Sequence, residues 1–175
     1  MKTNNYILKL TIGVFLFVGL NVYANGNDPI VRESNNEILK NETLWELNDE
    51  YVEIVLTDEP QEEAEYLSEI FLNWDVTQAR KFLGRKQPFT TIFKSNKGLA
   101  EVTYNSEGVV ISAEQRLENV VLPTQLSQLM YKRYQDWVIV ENKYYVTYKE
   151  GDGVERTYYL TVEKEGERKM VKIDV

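Results

Sequence analysis

Between Val138 and Lys164 the chain carries two long runs of alternating residues, separated by the turn Gly151-Asp152-Gly153. Successive side chains of a strand point to opposite faces, so alternation assigns each residue to a face. One row, Tyr144, Val146 and Tyr148 with Tyr158, Leu160 and Val162, reads as core. The opposite row holds Lys143, Tyr145, Thr147 and Lys149 with Glu155, Thr157, Tyr159 and Thr161. It reads as a wet face with Tyr145 and Tyr159 as exposed rings. A hairpin apolar on one side only requires a covering layer, and this limits the chain to a sheet with helices packed on one face.

The covering helices are expected at Pro60–Trp74 and Pro123–Trp137. In the first, Leu67, Ile70, Phe71 and Trp74 share a face and acids crowd the N-terminus. In the second, Leu126, Leu129, Met130, Tyr134 and Trp137 share a face, and Lys132 and Arg133 sit near its end. Further strands are expected at Tyr51–Leu56, Val76–Leu83, Phe89–Phe93, Leu99–Tyr104, Val109–Leu117 and Lys169–Val175. The two Pro-to-Trp segments have the same spacing, each preceded by a strand and followed by a meander, and Gly108 and Gly166 mark matching turns. The expectation is an α+β fold, an antiparallel β-sheet with a helix packed on one face, the unit duplicated. Its parts are a first unit over 42–121 and a second over 122–175. Trp74 and Trp137 should be buried at equivalent places, and the second helix should cover the C-terminal row.

The N-terminus adds a destination. Lys2 and Lys9 precede an apolar run from Leu10 to Leu20, and Val22-Tyr23-Ala24 offers the small residues of a cleavage site. Residues 1–24 are therefore expected to be a signal peptide removed after Ala24, with 25–41 a flexible arm and the mature chain periplasmic or secreted. No cysteine stands at the cleavage site, which excludes a lipid-anchored form. The apolar run is shorter than the roughly 20 residues of a permanent span, and no second one follows, so no membrane span is expected in the mature chain.

The formal net charge is −8, with 28 acidic against 20 basic residues, and loss of Lys2 and Lys9 makes it more negative. A surface of this sign excludes nucleic acid and anionic membranes as partners. The charge is uneven. Residues 41–79 contain twelve acids and no Lys or Arg, and Arg80 to Lys97 holds only bases.

The C-terminal part, from about Lys97 to Val175, resembles the PepSY-like, β-lactamase-inhibitor-like family of exported bacterial proteins. The resemblance rests on the hairpin from Gly98 to Ile111, the step Val121-Leu122-Pro123 into a short helix, and Tyr134 to Trp137 leading into the strand pair. It implies a helix on an antiparallel sheet outside the cytoplasm. It implies no catalytic residue and no inhibitory loop.

Composition narrows the chemistry. The sequence has no His and no Cys, which removes imidazole- and thiolate-based catalysis and the usual zinc ligands. There is no Ser-x-x-Lys motif and no phosphate-binding glycine loop. Paired carboxylates for glycoside hydrolysis have no distinguishing pattern. The acids around Gly151 and Gly153 lack calcium-loop spacing, and a hairpin turn explains them.

The expectation is a non-catalytic binding module without cofactor or metal, with an envelope protein or peptide as partner. Its binding residues are expected to be Tyr145, Tyr159, Lys143, Thr147 and Lys149, because tyrosine is enriched at binding surfaces, although tyrosine also simply favours strands. The alternatives are a carboxylate-dependent hydrolase and a structural envelope component.

Overall fold

The computed structural model describes residues 40–57, 61–82 and 87–175. The expected signal peptide, nearly all of the arm, Pro60, Arg85 and Lys86 lie outside the described residues. Three helices come first: α1 (Glu42–Leu47), α2 (Asp49–Leu56) and α3 (Glu62–Leu72). Then follow β1 (Phe89–Lys94), β2 (Gly98–Tyr104), β3 (Val110–Glu118), α4 (Thr124–Arg133), β4 (Val138–Lys149), β5 (Gly153–Lys164) and β6 (Glu167–Asp174). The strands pair antiparallel in chain order into one six-stranded sheet. The α+β class is thus established, and both expected units contribute to a single sheet.

Two expected strands are corrected. Tyr51–Leu56 lies in α2, where Tyr51 and Val55, one helical turn apart, are the buried residues. Its short apolar run fits a strand and a buried helix face equally, and the burial of this stripe against the sheet decides for helix. Of the second, Val76–Leu83, the described residues Val76 to Phe82 are not a strand either, and Leu83 lies outside the described residues. Val76–Gln78 forms a 3-10 turn, because the Asp75 side chain accepts from the Thr77 amide at 3.0 Å and caps it.

The buried rows match the alternation. Tyr144, Val146, Tyr148, Tyr158, Leu160 and Val162 are all core. Their cover is not the second helix alone, since α2 contributes to it. Tyr51 of α2 meets Tyr148 edge-on at 5.0 Å, and the Arg156 guanidinium donates to the Val55 carbonyl at 3.0 Å. α3 packs over β1, β2 and β3. α4 inserts Leu126 and Met130 into the same core but ends at Arg133, and Asp136 takes a positive φ of 65° before β4 begins.

Neither tryptophan is fully buried. Trp74 packs edge-on against Phe93 at 5.3 Å, whereas Trp137 lies under the Lys169 ammonium at 4.3 Å. The helices therefore sit differently on the sheet, with α3, unlike α4, packed closely over the strands of its own unit. Close packing also explains Gly98. A Cβ there would lie 2.0 Å from the Arg116 carbonyl oxygen on β3.

Phe71 has no exposed surface and touches both Tyr51 and Phe93. Phe71→Ala is expected to lower stability by about 3–5 kcal/mol in denaturant unfolding. Tyr131→Ala, at a side chain 79% exposed, should stay within about 0.5 kcal/mol.

Candidate functional site

One face of the sheet carries the helices, and among the described residues the other presents only side chains of the strands. Strand register arranges this open face in transverse rows. One runs from Glu118 through Lys143 and Tyr159 to Lys172, and the next from Leu99 through Arg116, Tyr145 and Thr157 to Asp174. A third passes from Glu114 through Thr147 to Glu155. Four of the five expected binding residues, Lys143, Tyr145, Thr147 and Tyr159, therefore fall at the centre of this face. Lys149 shares the face but lies at its end, where it pairs with Asp152 of the β4–β5 turn.

The two tyrosines are diagonal neighbours, with ring centroids 5.4 Å apart and planes at 78°. Each is half-buried, not an exposed ring. Tall side chains standing close on a pleated surface shield one another, and an edge-to-face pair is the favoured arrangement for two such rings. The pair forms an aromatic ridge on this face.

Around the ridge each cation has an acid two residues away on its own strand. Arg116 meets Glu114 at 2.7 Å, Lys143 meets Glu141 at 3.3 Å, and Lys172 meets Asp174 at 3.0 Å. The hydrogen bond that the Lys143 ammonium donates to Glu141 holds it above its ordinary pKa, and the one from Lys172 to Asp174 does the same for Lys172. At Asp174 partial burial favours the neutral form, but the Thr157 hydroxyl at 2.7 Å and the Lys172 ammonium outweigh it and lower the pKa. Three ion pairs therefore flank the ridge, and Glu118 and Glu155 share the face with them. Sequence reasoning missed Glu114, Arg116, Lys172 and Asp174 as parts of it. The signal was available, because residues i and i+2 of a strand share a face and these carry opposite charges.

A buried polar cluster lies on the opposite side. The Gln115 amide nitrogen donates to the Tyr51 hydroxyl at 3.0 Å and to Ser68 Oγ at 2.7 Å. Ser68 in turn donates to the Ala64 carbonyl at 2.9 Å, and Tyr51 and Ser68 lie 2.8 Å apart. Burial pushes the Tyr51 phenol far up, so it stays protonated. Among the described residues Gln115 Oε1 has no partner. This cluster ties helices to sheet.

A shallow depression of about 380 Å³ is lined by Leu122, Thr124, Ser127, Gln128, Tyr131 and Lys132. None of these is a carboxylate, so this hollow does not offer the paired acids of a glycosidase. Among the described residues no group of three or more Asp or Glu is placed to hold a metal ion.

Fold and site together define a class: a one-sheet α+β protein whose helices cover one face and whose other face carries an aromatic ridge among paired charges. No family model, curated protein or solved structure matches the chain.

The cluster gives a stability test. Gln115→Leu removes the unpartnered oxygen and leaves Tyr51 and Ser68 bonded to each other, so unfolding free energy should hold or rise. Tyr51→Phe leaves buried polar groups short of a partner and should lose about 1–3 kcal/mol in the same denaturant melt.

Proposed function

We propose that this protein is an exported, non-catalytic binding module that engages a protein or peptide of the cell envelope through the open sheet face. The observation that carries the reading is the Tyr145–Tyr159 pair, held rigidly by two adjacent strands at the centre of that face. Rigid aromatic side chains bury large area at low entropic cost, and their hydroxyls supply hydrogen bonds at the rim. The flanking charges are paired within the protein, so a partner need not neutralise them on docking.

Export is supported by the basic start, the apolar run and the Val22-Tyr23-Ala24 step. No described helix is long and apolar enough to cross a membrane. Secreted material should have an intact mass that begins at Asn25, and a mass retaining Met1 sinks the export reading.

The PepSY-like resemblance belongs to the same proposal, together with a duplicated unit. The order helix–strand–strand–strand occurs twice, as α3 with β1–β3 and as α4 with β4–β6. Gly108 and Gly166 take positive φ of 89° and 84° in the corresponding second hairpins. These features support a repeat, although the helices are seated differently.

The test is capture of envelope proteins on the immobilised chain, repeated with Tyr145→Ala plus Tyr159→Ala. Loss of two anchors should weaken binding by at least about 2 kcal/mol. The melt should fall modestly, because an aromatic pair contributes about 0.5–1.5 kcal/mol beyond its area. Undiminished capture of the same partner places its site elsewhere.

A further inference from the structure

We propose that β6 pairs with the β6 of a second copy of this chain, antiparallel and centred on Val171, so that the sheet continues across a two-fold axis. Among the described residues β6 is bonded on one side only, to β5. Its bonding phase is set at its end, where the Val175 amide donates to the Arg156 carbonyl at 3.0 Å. In an antiparallel pair, alternate residues turn both backbone groups to the same neighbour. Ile173, Val171 and Lys169 therefore spend theirs on β5, and Asp174, Lys172, Met170 and Arg168 direct theirs outward. The eight-residue strand shows no register shift against β5 and contains no proline. Its outward row is a continuous template for another strand. Met170, in the middle, is 66% exposed.

Charge selects the register. Keeping both the sheet faces and the bonding phase requires an outward-bonding residue to meet another. Centring on Met170 sets Arg168 against the partner's Lys172, and centring on Lys172 sets that lysine against its own copy. Centring on Val171 sets Arg168 against the partner's Asp174, twice by symmetry, and Met170 against the partner's Lys172. Larger shifts shorten the paired segment.

Lysines on an edge usually guard it against pairing. Here Lys169 is tied to Glu167 and Lys172 to Asp174, each at 3.0 Å, so neither opposes an incoming strand as a bare charge. A two-fold pairing uses the edge once and closes at the dimer. It leaves the open face of each copy accessible, and so does not depend on the function proposed above.

Arg168→Asp and Asp174→Arg test the register by sedimentation of the full chain over a range of concentration. The unmodified chain should show a reversible dimer. Either variant alone sets like charges opposite each other at both ends of the pairing, and its dissociation constant should rise at least about tenfold. An equimolar mixture of the two should regain the dimer, because each substituted side chain then faces its opposite. Met170→Pro removes an outward N–H and none of the bonds to β5, so it should give a monomer with an unchanged circular dichroism spectrum. A chain that is monomeric throughout, variants that dimerise as tightly as the original, or a mixture that stays monomeric would each overturn the proposal. Growth past the dimer would also overturn it, since that is the signature of β6 joining another edge in an open series.

Discussion

Tyr51 is where the two layers of the molecule are joined. Its ring meets Phe71 of α3 at 5.3 Å and Tyr148 of β4 at 5.0 Å, both edge-on. Its hydroxyl is bonded to Ser68 on α3 and Gln115 on β3. One side chain therefore couples α2, α3 and two central strands through apolar area and a directional polar contact at once. The dependence runs both ways. α1, α2 and α3 have 6, 8 and 11 residues, too short to persist alone in water. The aromatic row of β4 and β5 would in turn face solvent without them.

Two asparagines repeat the device at the margins. Asn48, between α1 and α2, accepts from the Val110 amide at 2.7 Å and donates to the Leu44 carbonyl at 2.7 Å. Asn142 accepts from the Val120 amide at 3.0 Å and donates to its carbonyl at 3.1 Å. In both places a side-chain amide satisfies backbone groups that would otherwise be buried without partners. The first anchors the helical layer to the start of β3. The second holds the segment leaving β3 against β4.

The two sides of the molecule differ in charge. The helices α1, α2 and α3 carry Glu42, Glu46, Asp49, Glu50, Glu53, Glu62, Glu63, Glu65 and Glu69 with no base among them, whereas α4 ends on Lys132 and Arg133. The open sheet face mixes both signs in pairs along single strands. A field of one sign steers or repels a partner at a distance, whereas paired charges act only at contact.

Much of the sheet was legible in the sequence, because a strand's alternation and a turn's glycine are local properties. The faces of β4 and β5 and the turns at Gly108, Gly151 and Gly166 all follow from neighbours a few residues apart. What the sequence left open is equally physical. Tyr51–Leu56 has an apolar pattern that suits a strand or a helix, and Tyr148, distant along the chain, decides it by packing on one stripe. The share of α2 in covering the C-terminal row was likewise not legible, because adjacency in the chain pointed to the Pro123 segment alone. The mutual shielding of Tyr145 and Tyr159 depends on the register between two strands. By itself the sequence determined which side chains share a strand face. Only the tertiary structure decided which helix covers that face and which edge stays unpaired, since those contacts join residues that no local spacing brings together.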